Sequence, residues 1–319
     1  MKLITGGSGF LGVELAGQLT GRGDEVRVFD IAKSAGLPAG VEYIKGDVRD
    51  CEAVSRACDG VDTAYHLVGI MPQARMDSDG MRKINVGGTR NVLRGCVENK
   101  VPRMVFLSTS EVYGLLEKVP CPEAALKAPI GEYGNNKVAS ELICQEFIRD
   151  FGLGVSILRP TSIVGPDNWE KSVNRLMGQI KKGGVMPMPG RGRNHWQVAH
   201  VVDVAQAAIL AGEKEEAIGE AFNVGGADEV PSQRELAEVL SELAGSQVKF
   251  IDISARFAVG ILKFLHLFGL SPMEMDHLVL LEHDFVLDVT KLQEKLGWKP
   301  KFGNLDAFKD MYLWYESTH

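Results

Sequence analysis

The chain has 319 residues, 45% of them hydrophobic, and a formal net charge of −7. That suits one large domain or two closely joined ones with a sizeable core. With no basic block, nucleic-acid binding lacks an electrostatic footprint.

The first residues enter a strand pattern at once, Lys2–Thr5, which leaves no room for a signal peptide. "LITGGSGFLG" follows, a glycine-rich turn between that strand and a helix over Leu11–Gly21. Two registers fit, Gly6-x-x-Gly9-x-x-Gly12 and Gly7-x-Gly9-x-x-Gly12. Either gives a tight turn, a close approach of main chain to a pyrophosphate, and a helix N-terminus with unbonded amides for the phosphates. The glycine pattern alone is a weak signal; its place between strand and helix makes it strong.

A second strand, Glu25–Phe29, leads to Asp30. That interval suits a carboxylate reaching the adenosine ribose hydroxyls, and its charge would repel the extra phosphate of NADP, so the reading is NAD. Lys33 is a nearby cation that would favour a phosphorylated ribose, and capping of the following turn is the plain alternative for Asp30. The third strand, Glu42–Ile44, is followed by "GDV", whose Asp47 can meet the adenine or make ordinary turn chemistry.

Strands are expected again at Thr63–Leu67, Met104–Leu107 and Val155–Leu158, with amphipathic helices over Met81–Asn99 and Glu132–Phe151. Strand and helix in alternation predict an α/β, doubly wound parallel sheet with right-handed crossovers. Gly183–Asn194 reads as a loop, and Ser232 with Glu235 as a capping box opening a helix. "ARFAVGILKFLHLFGL", Ala255–Leu270, is too short to span a membrane. Its stripe of Phe257, Ile261, Phe264, Leu265 and Phe268 is read first as a buried helix, with a lid or a dimer face as the sharper reading and an interfacial membrane helix as the third. The five cysteines (Cys51, Cys58, Cys96, Cys121, Cys144) form no CxxC pair and no metal-ligand cluster, which argues for reduced thiols in the cytoplasm.

Tyr133 and Lys137 stand four apart on an expected helix and so share a face. A tyrosine is a poor base at neutral pH, with a pKa of about 10. An ammonium beside it and an oxidised nicotinamide would stabilise the phenolate, letting it take a proton from a substrate hydroxyl. A Tyr–Lys spacing is common by chance. "FLSTSEVYG", at the carboxyl edge of the sheet, adds the Thr109 hydroxyl as a donor to the reacting oxygen, with Ser110 and Glu111 beside it.

Together these stretches resemble the extended short-chain dehydrogenase/reductases, in their NAD-dependent epimerase/dehydratase branch. The resemblance spans nearly the whole chain. It also rests on "HLVG" (His66–Gly69), "NVGGTRNVL" (Asn85–Leu93), "YGNNK", "LRPTSIVGP" (Leu158–Pro166), "HVVDVAQA" (His200–Ala207), "FNVGG" (Phe222–Gly226) and "LGWKP" (Leu296–Pro300). It implies Tyr133 as acid/base, Lys137 on the nicotinamide ribose, Thr109 on the substrate oxygen and Glu111 as a further participant. Cofactor contacts are then expected from Gly6, Gly9, Phe10, Leu11, Gly12, Asp30, Asp47, Val48, Leu67, Tyr133 and Lys137. The implied division is an NAD-binding domain over 1–165, with segments returning near 196–226, and a substrate lobe mainly over 166–319. A homodimer through Met81–Asn99 and Glu132–Phe151 is implied as well.

The substrate signals conflict. "STSEVYG" looks like the nucleotide-sugar decarboxylases, yet Trp196 stands where such enzymes place an arginine for the diphosphate. "GRGRNHWQVAHVVD" is closer to the 3β-hydroxysteroid dehydrogenase-like branch. Arg191 and Arg193 are candidates for a diphosphate or simple solvated loop residues, and Ser110 and Trp196 complete the expected substrate set. Trp169 and His195 are further aromatic candidates for the pocket wall. The readings left open are a nucleotide-sugar epimerase or relative, a dehydrogenase for a more apolar alcohol, and a non-catalytic NAD-binding scaffold.

Overall fold

The computed structural model describes residues 1–71, 74, 76–168, 171–267, 281 and 283–319, with the main chain alone at 171–172 and 265–267. Trp169 and the last three residues of the Ala255–Leu270 stretch lie outside the described residues.

The first half builds β1 (Lys2–Thr5), α1 (Phe10–Gly21), β2 (Val26–Asp30), β3 (Glu42–Lys45), α2 (Cys51–Ala57) and β4 (Thr63–His66). Then come α3 (Ser78–Arg82) and α4 (Gly88–Glu98), joined by a π-helical turn over Lys83–Gly87, β5 (Arg103–Leu107), α5 (Glu132–Phe151), β6 (Gly154–Pro160) and β7 (Ser162–Val164). The second half adds α6 (Lys171–Lys182), β8 (Gly184–Pro189), β9 (Val198–His200), α7 (Val201–Glu213), β10 (Ala221–Val224) and α8 (Gln233–Leu243). It closes with β11 (Val248–Ile253), α9 (Ala255–Leu267), α10 (Thr290–Leu296) and α11 (Asn304–Thr318).

Seven strands form one parallel sheet in the order β10-β6-β5-β4-β1-β2-β3. The order reverses between β1 and β4, so the loops leaving those two strands diverge and open a crevice at their carboxyl ends. Both faces of the sheet are dry. One core joins Leu11, Leu15 and Leu19 of α1 to Val204, Ala208 and Ile209 of α7 and Leu292 of α10. The other joins Val54 of α2, Val92 and Leu93 of α4, and Ile143 and Phe147 of α5. Strands covered on both faces are rich in apolar residues, as in Met104, Val105 and Phe106 of β5, and their buried polar side chains, such as His66 of β4 and Arg159 of β6, are hydrogen-bonded.

A smaller core lies beyond the sheet, where Met177 and Ile180 of α6, Met186 of β8, Leu240 of α8 and Phe308, Met311 and Tyr312 of α11 pack together. Two expectations are corrected there. Much of Gly183–Asn194 is not loop: β8 pairs in parallel with β11 from Gly184↔Val248 to Pro189↔Ile253. Pro187 and Pro189 are two apart, so both missing amides fall on the same edge of β8 and leave the paired edge intact. The described part of the Phe257 stripe is not buried either, since Phe257 is 63% exposed, Ile261 43% and Phe264 61%. The helix turns Ala255, Ala258, Val259 and Leu262 inward instead, a second stripe of smaller side chains at helical spacing. The capping box at Ser232 and Glu235 forms as expected. No helix among the described residues is long and apolar enough to cross a membrane.

Candidate active site

The glycine turn leaves β1 with Gly6 at φ +75°, a conformation that suits glycine. The Gly6 amide donates to the Phe29 carbonyl at 2.9 Å, which ties the turn to the end of β2. A Cβ on Gly12 would lie 2.5 Å from the Gly7 Cα and 2.7 Å from the Gly6 carbonyl oxygen, so α1 sits directly on the turn. Gly9 caps α1 without a side-chain hydrogen bond, and no acidic residue stands in its first turn. That combination is a cradle shaped for an anion: donors at a helix N-terminus whose own first turn carries no carboxylate. The residues therefore fit a dinucleotide. The Leu11 side chain is buried in the core against which Phe10 packs, so a phosphate would meet main-chain amides here and not these side chains.

Asp30 closes β2. One carboxylate oxygen accepts from the Ser8 amide at 3.0 Å and the other from the Ala32 amide at 3.4 Å. A carboxylate has about four lone-pair sites, so these two bonds leave capacity for a ribose diol. Turn capping and ribose binding are thus compatible roles. Lys33 lies 5.8 Å from the centre of the Tyr43 ring, and the Tyr43 hydroxyl donates to the Asp30 carbonyl. Asp47 is bound side-on by Arg49 at 2.6–3.0 Å, and this guanidinium holds its carboxyl below the usual range. Val48 is buried, and it stands 2.6 Å from where a Gly88 Cβ would be, so its side chain serves the α4 contact.

Across the crevice, the loop after β4 presses on the turn: a Gly6 Cβ would come within 3.0 Å of the Val68 amide and 3.2 Å of the Leu67 carbonyl carbon. Asn85, in the π-helical turn, clamps this loop by accepting from the Ile70 amide at 2.7 Å and donating to its carbonyl at 2.9 Å. His66 beneath it is buried between Thr5 (2.6 Å) and Thr89 (3.0 Å). Thr89 donates its own proton to the Asn85 carbonyl, so His66 Nε2 must donate to Thr89 and Nδ1 must accept from Thr5. Burial and the Lys137 charge push this imidazole down to about 3, so it is neutral at working pH.

Tyr133 and Lys137 do share a face of α5. The Lys137 Nζ lies 5.7 Å from the Tyr133 ring centre and 4.9 Å from that of Phe106. A Cβ on Gly69 would be 3.4 Å from the Tyr133 hydroxyl and 3.3 Å from Lys137 Nζ, so both polar tips converge on one point beside the β4 loop. Lys137 donates to the Leu107 carbonyl at 2.6 Å. Burial brings its pKa down to about 8. Burial, then the Glu111 carboxylate, push the Tyr133 phenol up. The expected depression of the tyrosine by lysine therefore does not appear without a cofactor, because loss of water around the phenol outweighs the neighbouring ammonium.

Thr109 is buried at the end of β5 and caps the short helical turn Ser110–Tyr113, accepting from the Glu111 amide at 3.3 Å. Gly134 lets α5 close on that turn, since a Cβ there would lie 2.9 Å from the Glu111 carbonyl oxygen. Ser110 is buried in the same turn. Thr109, Glu111, Tyr133 and Lys137 are thus brought together at the carboxyl edge of the sheet.

The residues expected at the substrate are more dispersed. An open cleft of about 630 Å³ is lined by Gly190, Arg193, Asn194, Ser254, Arg256 and His283, among others. Arg193 is in its wall; Arg191, Trp196, Thr109 and Tyr133 are not. Arg191 has φ +64°, and its carbonyl accepts from Arg234. Trp196 is half-buried and bridges to Phe285, while the His195 amide donates to Asp284 at 2.7 Å. Spacing in the sequence does not point to Arg256 or His283: the β8–β11 pairing brings Arg256 to Arg193, and the pairing of Phe285 with His195 and Gln197 brings His283 there. Asn85 was legible only as part of a motif. Among the described residues no group of three or more His, Cys, Asp or Glu could hold a metal ion.

Comparison with known proteins agrees with this fold. A profile of the NAD dependent epimerase/dehydratase family matches residues 2–225. The chain is 32% identical over 320 residues to the uncharacterised protein y4nG of Sinorhizobium fredii, covering 99% of this chain and 78% of that one. It is 27% identical to dTDP-glucose 4,6-dehydratase of Streptomyces niveus, covering 99% and 93%. Identity is also 27% to the 3 beta-hydroxysteroid dehydrogenase/Delta 5-->4-isomerase of Mycobacterium tuberculosis, covering 99% and 90%. Among solved structures, UDP-glucose 4-epimerase of Thermotoga maritima with UDP-glucose superposes with a TM-score of 0.83 at 25% identity, covering 99% of both chains. The dTDP-glucose 4,6-dehydratase of Streptomyces venezuelae, solved with NAD bound, gives 0.81 at 26%, covering 99% and 97%.

Proposed function

Because the chain belongs to the NAD dependent epimerase/dehydratase family and is an NAD-dependent enzyme, we propose that it oxidises a secondary hydroxyl of a nucleotide-activated sugar, with Tyr133 as acid/base. One observation carries this reading: the Tyr133 hydroxyl and the Lys137 ammonium meet beside Gly69, next to the turn that holds Thr109. A non-catalytic scaffold has no need of that convergence.

Gly6, Gly9 and Gly12 with the amides of Phe10 and Leu11 would hold the pyrophosphate, Asp30 the adenosine ribose, Asp47 and Val48 the adenine side, and Leu67 the crevice wall. Bound NAD supplies a two-electron acceptor and, when oxidised, a positive charge beside the phenol. Thr109 donates to the substrate oxygen and fixes its direction. Tyr133 takes the proton of the substrate hydroxyl, or returns it when a ketone is reduced. Lys137, titrating near 8, is mostly charged at neutral pH and opposes the upward push of burial on the phenol. Glu111 raises the phenol, so it favours the protonated tyrosine needed for the reducing direction. Ser110 and Glu111, in the same turn, would flank the substrate oxygen beside Thr109.

The charge balance of the cleft wall supports an anionic substrate. Arg193 and Arg256 line one space with His283 and Asp284, the single carboxylate among the described residues of the wall, which accepts from the His195 amide. Two guanidiniums thus outnumber it where a diphosphate can be gripped although Trp196 stands in the usual arginine position. Arg191 is a lesser candidate from the same loop. A second reading, an apolar secondary alcohol, is favoured by Trp196 and by the exposed Phe257, Ile261 and Phe264 on α9, which can serve as a lid. We further assign 1–165, with segments near 196–226, to the NAD domain and 166–319 mainly to a substrate lobe, supported by the lobe's separate core. A cytoplasmic homodimer through Met81–Asn99 and Glu132–Phe151 is supported by five unpaired cysteines and by Leu142 standing exposed on α5.

The test is thermal melting of the NAD-loaded protein with UDP-glucose, dTDP-glucose or a hydroxysteroid. A nucleotide-sugar that raises the melting temperature, with the rise lost in Arg193→Ala and Arg256→Ala, supports the reading. A rise with the steroid alone replaces it by the second.

A further inference from the structure

Behind the Thr109–Glu111 turn runs a buried chain of polar groups that the chemistry above does not use. The Ser108 hydroxyl donates to Glu141 Oε1 at 2.6 Å. Arg159 reaches the same carboxylate side-on, Nε to Oε1 at 2.9 Å and Nη2 to Oε2 at 2.8 Å. Its third nitrogen, Nη1, donates to the Tyr113 hydroxyl at 2.8 Å and the Glu123 carbonyl at 3.0 Å. Tyr113 donates onward to Asn223 Oδ1 at 2.7 Å, and Asn223 Nδ2 holds the carbonyls of Cys121 and Asp288 at 3.0 and 3.1 Å. Ser108, Tyr113, Glu141, Arg159 and Asn223 are all buried. Lys127 adds a second cation to Glu141 at 2.5 Å.

A buried ion pair is a poor way to gain stability, since apolar residues of similar volume often do as well or better. What this chain provides is location. Ser108 immediately precedes Thr109, and Tyr113 stands two residues after Glu111, so the turn is gripped at both ends. Glu141 stands one helical turn beyond Lys137 on α5, the helix that carries Tyr133. The carboxylate therefore bonds the root of the Thr109 turn to the helix bearing the acid/base. A displacement of about 1 Å between such groups can cost about 100-fold in rate.

We propose that Ser108, Glu141, Arg159 and Tyr113 are positioning residues that lock the Thr109–Glu111 turn in register with Tyr133 and Lys137. This rests on the reading that Thr109 and Tyr133 serve one reacting carbon. The experiment needs no substrate, so failed turnover and a failed lock are separate results. Ser108→Ala and Tyr113→Phe each remove one hydroxyl and leave the Glu141–Arg159 pair whole. Amide hydrogen exchange is followed by mass spectrometry on the NAD-loaded full chain, comparing residues 109–114 with β1 and α1. The lock predicts exchange about tenfold faster over 109–114 in both variants, the scale of one lost hydrogen bond. β1 and α1 should be unchanged, and Ser108→Thr should restore protection. Unchanged exchange at the turn in both variants, an equal rise throughout β1 and α1, or a Ser108→Thr variant no better than Ser108→Ala overturns the proposal.

Discussion

Replacing Gly12 by alanine puts the fit between α1 and the glycine turn under direct strain. The new methyl would lie 2.5 Å from the Gly7 Cα, 2.6 Å from the Gly7 carbonyl carbon and 2.7 Å from the Gly6 oxygen. All three are main-chain atoms, so no side chain can rotate aside. Carbon atoms rest at about 3.5–4.0 Å, which requires α1 to withdraw by roughly 1 Å. Overpacking of this kind costs about 1–3 kcal/mol of stability. The same shift carries the first-turn amides away from the pyrophosphate, and two weakened bonds to a charged group amount to about 3 kcal/mol, or roughly 100-fold in affinity. Gly17→Ala on the same helix is the control. Nothing lies within 4 Å of its added methyl, so the helix gains up to about 1 kcal/mol and the cofactor is held as before. Fluorescence titration with NADH and a thermal melt read both quantities. NADH binding by Gly12→Ala within about threefold of the parent would refute the cradle reasoning.

Tyr133→Phe should reduce turnover by about 10²–10⁴-fold while leaving NADH affinity within about twofold; a variant that keeps more than about a hundredth of the parent rate removes Tyr133 from acid/base chemistry. Lys137→Met should abolish turnover yet raise the urea midpoint at pH 7, because a lysine moved from 10.5 to about 8 by burial weakens the fold by up to about 3 kcal/mol while charged. That penalty is complete below pH 8 and fades toward 10.5 as the native lysine deprotonates first, so the two stability curves should converge on the alkaline side. His66 works in the acid range. Between its ordinary 6.5 and about 3 the unfolded chain binds a proton that the native chain refuses, so stability falls on acidification by about 1.4 kcal/mol per pH unit. His66→Gln should flatten that slope in urea melts at pH 4–6.5, and an unchanged slope would assign acid sensitivity elsewhere.

Most strands of the main sheet were readable because its faces are covered, which makes them short runs rich in apolar residues. The predicted Glu25–Phe29 forms as Val26–Asp30, and Met104–Leu107 gains Arg103 at its start, shifts of a single residue. The glycine turn and the Tyr133–Lys137 pair were readable because their spacing is local, set by one turn and one helix. The cleft was not. Arg193 and Arg256 are far apart in sequence and meet only through the pairing of β8 with β11, and β8 was hidden by Pro187 and Pro189. The α9 stripe misled for a different reason: two apolar stripes share one helix, and periodicity does not tell which is covered. Nor does spacing reveal the loss of water around the Tyr133 phenol, which pushes it up and which the Lys137 ammonium and a bound cofactor must oppose.

The edge strand β10 has a consequence for synthesis. β6 is complete at Pro160, yet its outer partner begins only at Ala221, and α7, which covers one face of the sheet, also comes after β6. On a translating ribosome, roughly sixty residues separate the two strands, about 3–12 s of elongation at ordinary speeds. During that interval the nascent sheet carries an open hydrogen-bonding margin and a bare greasy side. A chain halted there is a sticky intermediate in need of a chaperone, so rare codons across 165–220 should lower soluble yield while leaving the finished protein unchanged.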